Sequence, residues 1–274
     1  MDYEEAINIQ YGQKNLENKI MAILKKGEMD TVELIKDAFA PIEELHLRGS
    51  LATLELAQKA GLNRRMKVLD IGCGIGGPAR TLAFKYGCHI TGLDLSKEYC
   101  RAAELINQNV EIREKIDIWQ GSALDMPFKD GVFDIVFMQH VLMNIKNKER
   151  LLSQITRVLR PKGRLAINTV CAGSITPIHY PVIWANSPDI NFLLSANELL
   201  NLICNCGFIE ISWKDDTKKV LEEIKSRKTK PRSNIIRKIS LDLIVSDPTL
   251  KWKNIVLNLN EGRIEVIQGI FERK

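Results

Sequence analysis

Residues 68–78 read VLDIGCGIGGP, and this stretch decides the fold. An apolar segment typical of a β-strand runs into a turn dense in glycine, and Pro78 follows at a position that suits the first turn of a helix. Glycine has no Cβ and tolerates positive φ, so the backbone of such a turn can lie directly against a flat ligand. The stretch predicts a nucleotide-binding corner between a strand and a helix.

The glycine spacing alone fits two classes of cofactor. Gly72, Gly74 and Gly77 spell G-x-G-x-x-G, which is typical of dinucleotide-binding proteins. Counted from Asp70, the same turn spells D-x-G-x-G-x-G, with Gly76 as its last member. The residues around the turn have to decide between the two.

Two carboxylates bear on that choice. Asp94 ends the next predicted strand, residues 88–94, about 20 residues past the glycines, where it can accept hydrogen bonds from both ribose hydroxyls of either cofactor. Asp70 separates the classes, because it would repel the pyrophosphate of a dinucleotide and attract the cationic methionine end of S-adenosylmethionine. The chain also lacks the Tyr-x-x-x-Lys pair of many nicotinamide enzymes. The pattern therefore favours S-adenosylmethionine.

Further segments follow in the order and spacing of one enzyme family. They are QGSALDMPF at residues 120–128, FDIVF at 133–137 and RVLRPKGRL at 157–165. With the glycine turn they cover about residues 66–170 and resemble the class I S-adenosylmethionine-dependent methyltransferases. A more distant similarity, which includes QHVLMNI at 139–145, is to small-molecule enzymes of the ubiquinone/menaquinone-biosynthesis and sarcosine/dimethylglycine methyltransferase kind.

The alternation of strands and helices predicts an α/β fold of the Rossmann-like, doubly wound type with a mostly parallel sheet. Strands are expected at residues 66–71, 88–94, 116–120, 133–138, 164–170 and 208–213, and helices from Pro78 and at 96–108, 147–159, 196–206 and 249–260. The family resemblance makes residues 263–271 an antiparallel seventh strand.

Four regions are expected along the chain. They are an N-terminal helical cap at residues 1–60, a methyltransferase domain at 61–274, a substrate-lid insertion at 171–195 after the fifth strand, and a helical C-terminal region at 214–262. The cap is predicted from helical apolar spacing at 15–24, 32–39 and 51–60, and the lid from a proline-rich polar and aromatic loop.

The cofactor site is assigned to the glycine turn and to the ends of the neighbouring strands. The expected residues are Asp70, Gly72, Gly74, Gly76, Asp94, Leu95, Ser122, Ala123 and Gln139. Ser122 departs from the family, which often places an acid there for the adenine amino group, although a hydroxyl can still accept a hydrogen bond. Arg48 and Arg80 are alternative partners for the cofactor carboxylate.

His140 is the candidate catalytic residue, because it follows an apolar strand that ends at the expected active edge of the sheet. The alternative is that it only packs at the start of the next helix. Tyr11, His179, Tyr180 and Trp184 are candidates for substrate binding through their aromatic faces and polar tips. No metal site is predicted.

Composition limits the possible classes. With 274 residues and 45% hydrophobic content the chain can bury a full α/β core, and its six cysteines are spaced neither as a disulfide framework nor as metal knuckles. No apolar run is long enough for a membrane span, and the N-terminus is acidic, so a cytoplasmic protein is expected. Both a monomer and a homodimer are compatible with the sequence.

The predicted function is methylation of a small intracellular metabolite, either an amine or a quinol- or phenol-like acceptor. A nucleic-acid methyltransferase is the alternative suggested by the basic stretch at residues 225–232. Against it, Gln139 and His140 stand where enzymes that methylate base amines carry an Asn/Asp-Pro-Pro-aromatic signature. A non-catalytic cofactor-binding partner protein is the third possibility.

Overall fold

A computed structural model describes residues 3–12, 15–26, 39, 42–227 and 240–274. These residues form nine α-helices and seven β-strands. The helices are α1 (Tyr3–Tyr11), α2 (Leu16–Lys26), α3 (Ser50–Lys59), α4 (Gly77–Tyr86), α5 (Lys97–Asn107), α6 (Lys148–Val158), α7 (Ala196–Asn205), α8 (Thr217–Arg227) and α9 (Pro248–Asn260). The strands are β1 (Lys67–Ile71), β2 (His89–Asp94), β3 (Ile116–Gln120), β4 (Phe133–Gln139), β5 (Leu159–Ala172), β6 (Phe208–Asp215) and β7 (Ile264–Arg273).

The strands form one sheet in the order β3-β2-β1-β4-β5-β7-β6. The strands from β1 to β5 are parallel, and β7 runs antiparallel to both of its neighbours, β5 and β6. The predicted doubly wound, mostly parallel sheet of seven strands is confirmed, and the N-terminal helices are present. Because β1 lies between β2 and β4, the chain reverses its direction of winding there, which in open α/β sheets is where ligands bind.

Helices cover both faces of the sheet, and the alternation of side chains along each strand decides which core a residue enters. Leu69 and Val136 belong to the apolar cluster that α6 and α7 cover. Val68 and Ile135 belong to the cluster that α3 and α4 cover on the other face. All four side chains are almost completely buried, so β1 and β4 are rigid supports for whatever follows them.

The largest difference from the expected strand bounds is in β5. It spans 14 residues, from Leu159 to Ala172, whereas the sequence predicted only residues 164–170. The extra length comes from pairing: Leu159 pairs with Phe133 of β4, and Ala172 pairs with Ile264 of β7. Tertiary pairing thus extends a strand into positions whose composition resembles a loop.

Some predicted features lie outside the described residues. These are residues 32–38 of the second cap helix and 228–232 of the basic stretch. Among the residues that are described, no helix combines the length and the apolar composition needed to cross a membrane.

Candidate active site

A cavity lies at the carboxyl ends of β1, β2 and β4. Its empty space is about 1440 Å³ when the part that is open to solvent is included. Its floor consists of residues 70–75, 93–96 and 139–141, which follow or end these strands. Helix α1 covers one side with Glu4, Ile7, Asn8 and Tyr11.

The glycine turn presents bare backbone to the cavity. Gly74 has φ of +55°, and a Cβ added there would find no heavy atom within 4 Å, so the space beside it is open. Its amide donates a hydrogen bond of 2.8 Å to Asp94 Oδ2, and the amide of Gly72 donates one of 2.7 Å to the carbonyl of Leu93. These bonds hold the turn rigidly against the end of β2.

A second close approach brings an acidic segment to the same place. A Cβ on Gly77 would lie only 2.0 Å from the carbonyl oxygen of Glu43, so only glycine lets residues 42–46 pack against the start of α4. As a result, Glu44 and His46 line the cavity beside the turn.

The two predicted acids differ in their partners. Asp94 accepts hydrogen bonds from the amides of Gly74 and Ser96, yet burial still raises its pKa. Asp70 Oδ2 is buried with no hydrogen-bond partner among the described residues. Burial, with the nearby carboxylates of Glu44 and Asp94, raises the pKa of Asp70 to about 8. Asp70 therefore lacks a cation to stabilise its charge.

Glu44 and His46 form a buried polar network in the wall of the cavity. His46 Nε2 lies 3.1 Å from Glu44 Oε2, and the hydroxyl of Thr53 donates a hydrogen bond of 2.7 Å to the same carboxylate oxygen. Gln139 Oε1 lies 3.2 Å from that hydroxyl. Burial acts to raise the pKa of Glu44, but hydrogen bonding and charge from His46, together with the threonine hydroxyls, lower it overall. Glu44 is thus an anion at neutral pH.

His140 follows β4 in a left-handed backbone conformation, with φ of +54°. Non-glycine residues adopt this region rarely, so the surrounding structure must hold the backbone of His140 there. Its amide donates a hydrogen bond of 2.7 Å to the carbonyl of Asn168, while Nε2 is buried without a partner among the described residues. Burial and the neighbouring His46 ring, 5.9 Å away, lower the pKa of His140 well below its usual value, so the imidazole is neutral.

The predicted adenine end is completed by α1. Leu95, Ser122 and Ala123 line the cavity, and the hydroxyl of Ser122 donates a hydrogen bond of 2.6 Å to Glu4 Oε1. The acid that the family often places at the position of Ser122, after β3, is absent from this chain. The carboxylate of Glu4 lies next to Ser122.

The predicted substrate-binding residues divide into two groups. Tyr11 and Trp184 line the cavity, and the hydroxyl of Tyr11 donates a hydrogen bond of 2.7 Å to Asn144 Oδ1. His179 and Tyr180 are absent from the lining. His179 Nε2 instead lies 2.8 Å from Glu261 Oε2, because Asn258 near the end of α9 bonds to the backbone of His179 and brings the loop beside this end of the helix. The geometry does not support a substrate-binding role for His179 and Tyr180.

The two arginines and Gly76 also lie outside the cavity lining. Arg48 is buried among the carboxylates of Glu55, Asp216 and Glu223, and Arg80 pairs with Glu43 at 2.9 Å. Gly76 provides the left-handed residue that precedes α4. Neither guanidinium is available for the carboxylate of a cofactor, because other carboxylates already hold it.

The residues that the sequence did not single out are Glu4, Glu44 and His46. Each reaches the cavity from a segment remote from the glycine turn in sequence, and the only local trace is the run of acids at residues 43 and 44. The placement of Glu44 and His46 depends on the close contact at Gly77, and Glu4 of α1 is placed beside Ser122 by a hydrogen bond. Spacing along the chain reveals neither contact.

Comparison with known proteins agrees with this geometry. Residues 69–167, from β1 into β5, match the family model described as a methyltransferase domain. Residues 69–167 therefore carry a methyltransferase domain, of the class I S-adenosylmethionine-dependent type.

Two relatives and one solved structure are similar to this chain. It is 28% identical to a sarcosine/dimethylglycine N-methyltransferase of Halorhodospira halochloris over 209 residues, 76% of this chain and 73% of that protein. It is 33% identical to a glycine/sarcosine/dimethylglycine N-methyltransferase of Actinopolyspora halophila over 45% of this chain, which spans only 22% of that protein. The fold is shared with a geranyl diphosphate C-methyltransferase of Streptomyces coelicolor A3(2), which was crystallised with Mg²⁺, geranyl diphosphate and S-adenosyl-L-homocysteine. The TM-score is 0.72 at 19% identity, and the match covers 100% of this chain and 98% of that chain.

The cavity fits S-adenosylmethionine, the cofactor of this family. Gly74 leaves space for a flat adenosine, and each oxygen of Asp94 has capacity to accept a further hydrogen bond from a ribose hydroxyl. Asp70 supplies a buried carboxylate whose Oδ2 has no partner among the described residues, and the positive charge of the cofactor would stabilise its ionised form. When bound, the cofactor supplies an electrophilic methyl group on a sulfonium.

Burial of Asp70 gives this methyltransferase a specific pH dependence. Its pKa of about 8 in the folded protein lies above the ordinary 3.8, so the folded protein keeps a proton that the unfolded chain has lost. The contribution of Asp70 to the free energy of unfolding therefore falls as the pH rises from about 4 to about 8. A cation beside the carboxylate favours its ionised form, so cofactor binding at neutral pH should release a proton.

We expect the affinity for S-adenosylmethionine to rise by up to about tenfold per pH unit between about pH 6 and 8 and then to level off. Calorimetry in buffers of different ionisation enthalpy measures both the affinity and the proton release. Asp70→Asn keeps the shape but cannot ionise, and it should abolish the rise. A variant that retained the pH profile of the unmodified protein would show that another group titrates.

Proposed function

We propose that this protein transfers a methyl group from S-adenosylmethionine to a small-molecule acceptor held in the same cavity. The observation that carries the proposal is that the glycine turn, Asp94 and His140 wall one cavity whose opposite side is apolar and aromatic. Methyl transfer is an in-line displacement, so the protein mainly has to align the acceptor's lone pair and exclude water. A covered, mostly apolar cavity suits both tasks.

Three segments would enclose the acceptor. Tyr11 of α1 is bonded to Asn144, whose side-chain amide donates to the carbonyl of Trp184 at 2.8 Å. These contacts connect α1, the turn after β4 and the loop after β5, and they support a lid role for residues 171–195 and a cap role for residues 1–60. The names of the two curated relatives describe N-methylation of small amino compounds, which supports a small acceptor here.

A cytoplasmic site of action is part of the same proposal, supported by six cysteines that are all free thiols.

His140 is proposed to accept a proton from the acceptor. Its neutral imidazole has an unpaired buried nitrogen beside the cavity, which is the form required of a base. His140→Gln should lower kcat about 100-fold and change the affinity for S-adenosylmethionine less than about threefold. His89→Gln, at the exposed start of β2, is the matched control and should retain activity. An unchanged kcat in the His140 variant would mean that this side chain only packs.

The direct test of the proposed function uses cofactor labelled in the methyl group. The purified protein is incubated with labelled S-adenosylmethionine and a metabolite extract, and mass spectrometry identifies any small molecule that gains the label. We expect one or a few labelled metabolites, with transfer lost in Gly74→Val. No labelled small molecule, or label only in RNA, would contradict the proposal.

A further inference from the structure

The cavity is lined by acidic residues without basic ones to balance them. Of the described residues that line it, five carry carboxylates and none is a lysine or an arginine: Glu4, Glu43, Glu44, Asp70 and Asp94. Only Glu43 is paired with an arginine, at 2.9 Å from Arg80. Glu4, Glu44 and Asp94 are held by hydroxyls, backbone amides or His46, and Asp70 Oδ2 has no hydrogen-bond partner in the part of the chain that the structure describes. No lysine or arginine among the described residues forms an ion pair with any of these four.

Two buried polar atoms without hydrogen-bond partners indicate that the acidic wall of the cavity binds a ligand. Asp70 and His140 both line the cavity, and neither Asp70 Oδ2 nor His140 Nε2 has a hydrogen-bond partner among the described residues. The exposed fraction of Asp70 is 1%. Buried polar atoms without partners are rare in folded proteins, so such atoms in a cavity wall point to a ligand that donates to them. The cofactor adds one net positive charge, which leaves the cavity negative even when it is bound.

The rest of the acceptor's surroundings is apolar. Apolar and aromatic side chains line this part of the cavity. They come from α1, the turn after β4, the loop after β5 and α9, and include Ile7, Tyr11, Met143, Ile183, Trp184 and Ile255. Large apolar and aromatic surfaces of this kind bind hydrocarbon or ring portions of a ligand. An acceptor that fits therefore has an apolar body.

A negative cavity distinguishes between nucleophiles by how charge moves during the reaction. An alkylamine enters as its ammonium, which the carboxylates attract, and it loses one proton to water before its lone pair can attack. When the neutral amine then attacks, positive charge passes from sulfur to nitrogen, and nearby carboxylates stabilise it there. When a phenol is methylated it must first become an anion, which the same carboxylates disfavour. A carboxylate or phosphate on the acceptor meets like charge at short range.

We propose that the acceptor is an amine with an apolar body and without a carboxylate or phosphate group. This inference rests on the proposed function and narrows it to one substrate class. The lone pair of the amine nitrogen forms the new bond to the methyl carbon, and the electron pair of the broken carbon–sulfur bond stays on sulfur. The N–H proton of the resulting ammonium leaves to His140 or to water. The cavity thus differs from what an amino-acid or diphosphate acceptor requires.

Three probes with one shared body test the proposal on the full chain loaded with S-adenosylhomocysteine. N-methylphenethylamine is an amine, N-methylphenylalanine adds only a carboxylate to it, and para-ethylphenol replaces the amine by a phenol. We expect calorimetry to show the amine binding at least about 30-fold more tightly than its carboxylate analogue. With labelled S-adenosylmethionine the amine should be methylated faster than the phenol. Binding of the amino acid as tight as that of the amine, failure of the amine to bind, or faster methylation of the phenol would overturn the proposal.

Variants that each remove one carboxylate test whether the acidic wall of the cavity causes the preference for an amine over an amino acid. Glu44→Gln should narrow the preference for the amine over the amino acid at least about fivefold, while Glu222→Gln, on the exposed side of α8, should leave it unchanged. Should Glu44→Gln fail to fold, Asp70→Asn makes the same measurement with no hydrogen bond of Oδ2 to lose. An unchanged preference in the cavity variant would overturn the proposal.

The metabolite screen separates this inference from the proposed function. A methylated acceptor that bears a carboxylate or phosphate would overturn the inference and leave the proposed function intact. Absence of any methylated small molecule would contradict the proposed function itself.

Discussion

Gly74→Val is expected to weaken S-adenosylmethionine binding by at least about 100-fold while the protein remains folded. The side chain of valine would fill the open space beside the turn, where no heavy atom lies within 4 Å of an added Cβ. That space is where a flat adenosine would contact the backbone, so the branched side chain and the cofactor would exclude each other. Calorimetric titration measures the loss, and thermal unfolding reports on the fold.

Backbone strain has to be separated from this steric effect. Gly74 has φ of +55°, and any L-residue is strained there even where space is available. Gly207→Val is the matched control, because Gly207 has φ of +93°, is also surrounded by open space and lies outside the cavity lining. The control should lose stability but bind the cofactor normally. If both variants bound equally well, the glycine turn would not be the cofactor site.

Asp94→Ala is expected to weaken cofactor binding by about 2 to 4 kcal/mol, or roughly 30-fold to 1000-fold. Two charge-assisted hydrogen bonds to ribose hydroxyls would be lost, and so would the bond of 2.8 Å that positions the amide of Gly74. Calorimetry with S-adenosylmethionine gives the change directly.

An exposed aspartate on the neighbouring strand provides the control. Asp117 of β3 pairs with His89 at 3.5 Å, and 60% of its side chain is exposed. Asp117→Ala removes the same charge from the sheet and should leave cofactor affinity within about twofold, since exposed pairs contribute little. Equal effects of the two variants would show that net charge, and not ribose binding, causes the loss.

The residue types alone predict much of the fold and of the cofactor side of the cavity. Glycines are required where the backbone turns with positive φ or a neighbour approaches closely, so the turn after β1 is visible in the sequence. Apolar strands that alternate with amphipathic helices predict a parallel sheet, and its topology places ligand contacts at the carboxyl ends of the strands. Asp70, Asp94 and His140 are all found at such ends.

The acceptor side was less predictable, because long-range contacts decide it. His179 contacts the carboxylate of Glu261, which lies 82 positions away in the sequence, and Arg48 donates a hydrogen bond to Glu223, 175 positions away. Spacing along the chain carries no information about either pairing. Glu44 and His46 reach the cavity only because Gly77 admits the backbone of Glu43 so closely. The acidic character of the wall therefore emerges from tertiary structure.

The central claim is that the cavity at the ends of β1, β2 and β4 binds S-adenosylmethionine through the glycine turn and its two aspartates. Equilibrium titration of the unmodified protein, first with S-adenosylmethionine and then with nicotinamide adenine dinucleotide, tests it most directly. The account predicts saturable binding of one equivalent of the sulfonium compound and none of the dinucleotide. Binding of the dinucleotide with no uptake of S-adenosylmethionine would contradict it.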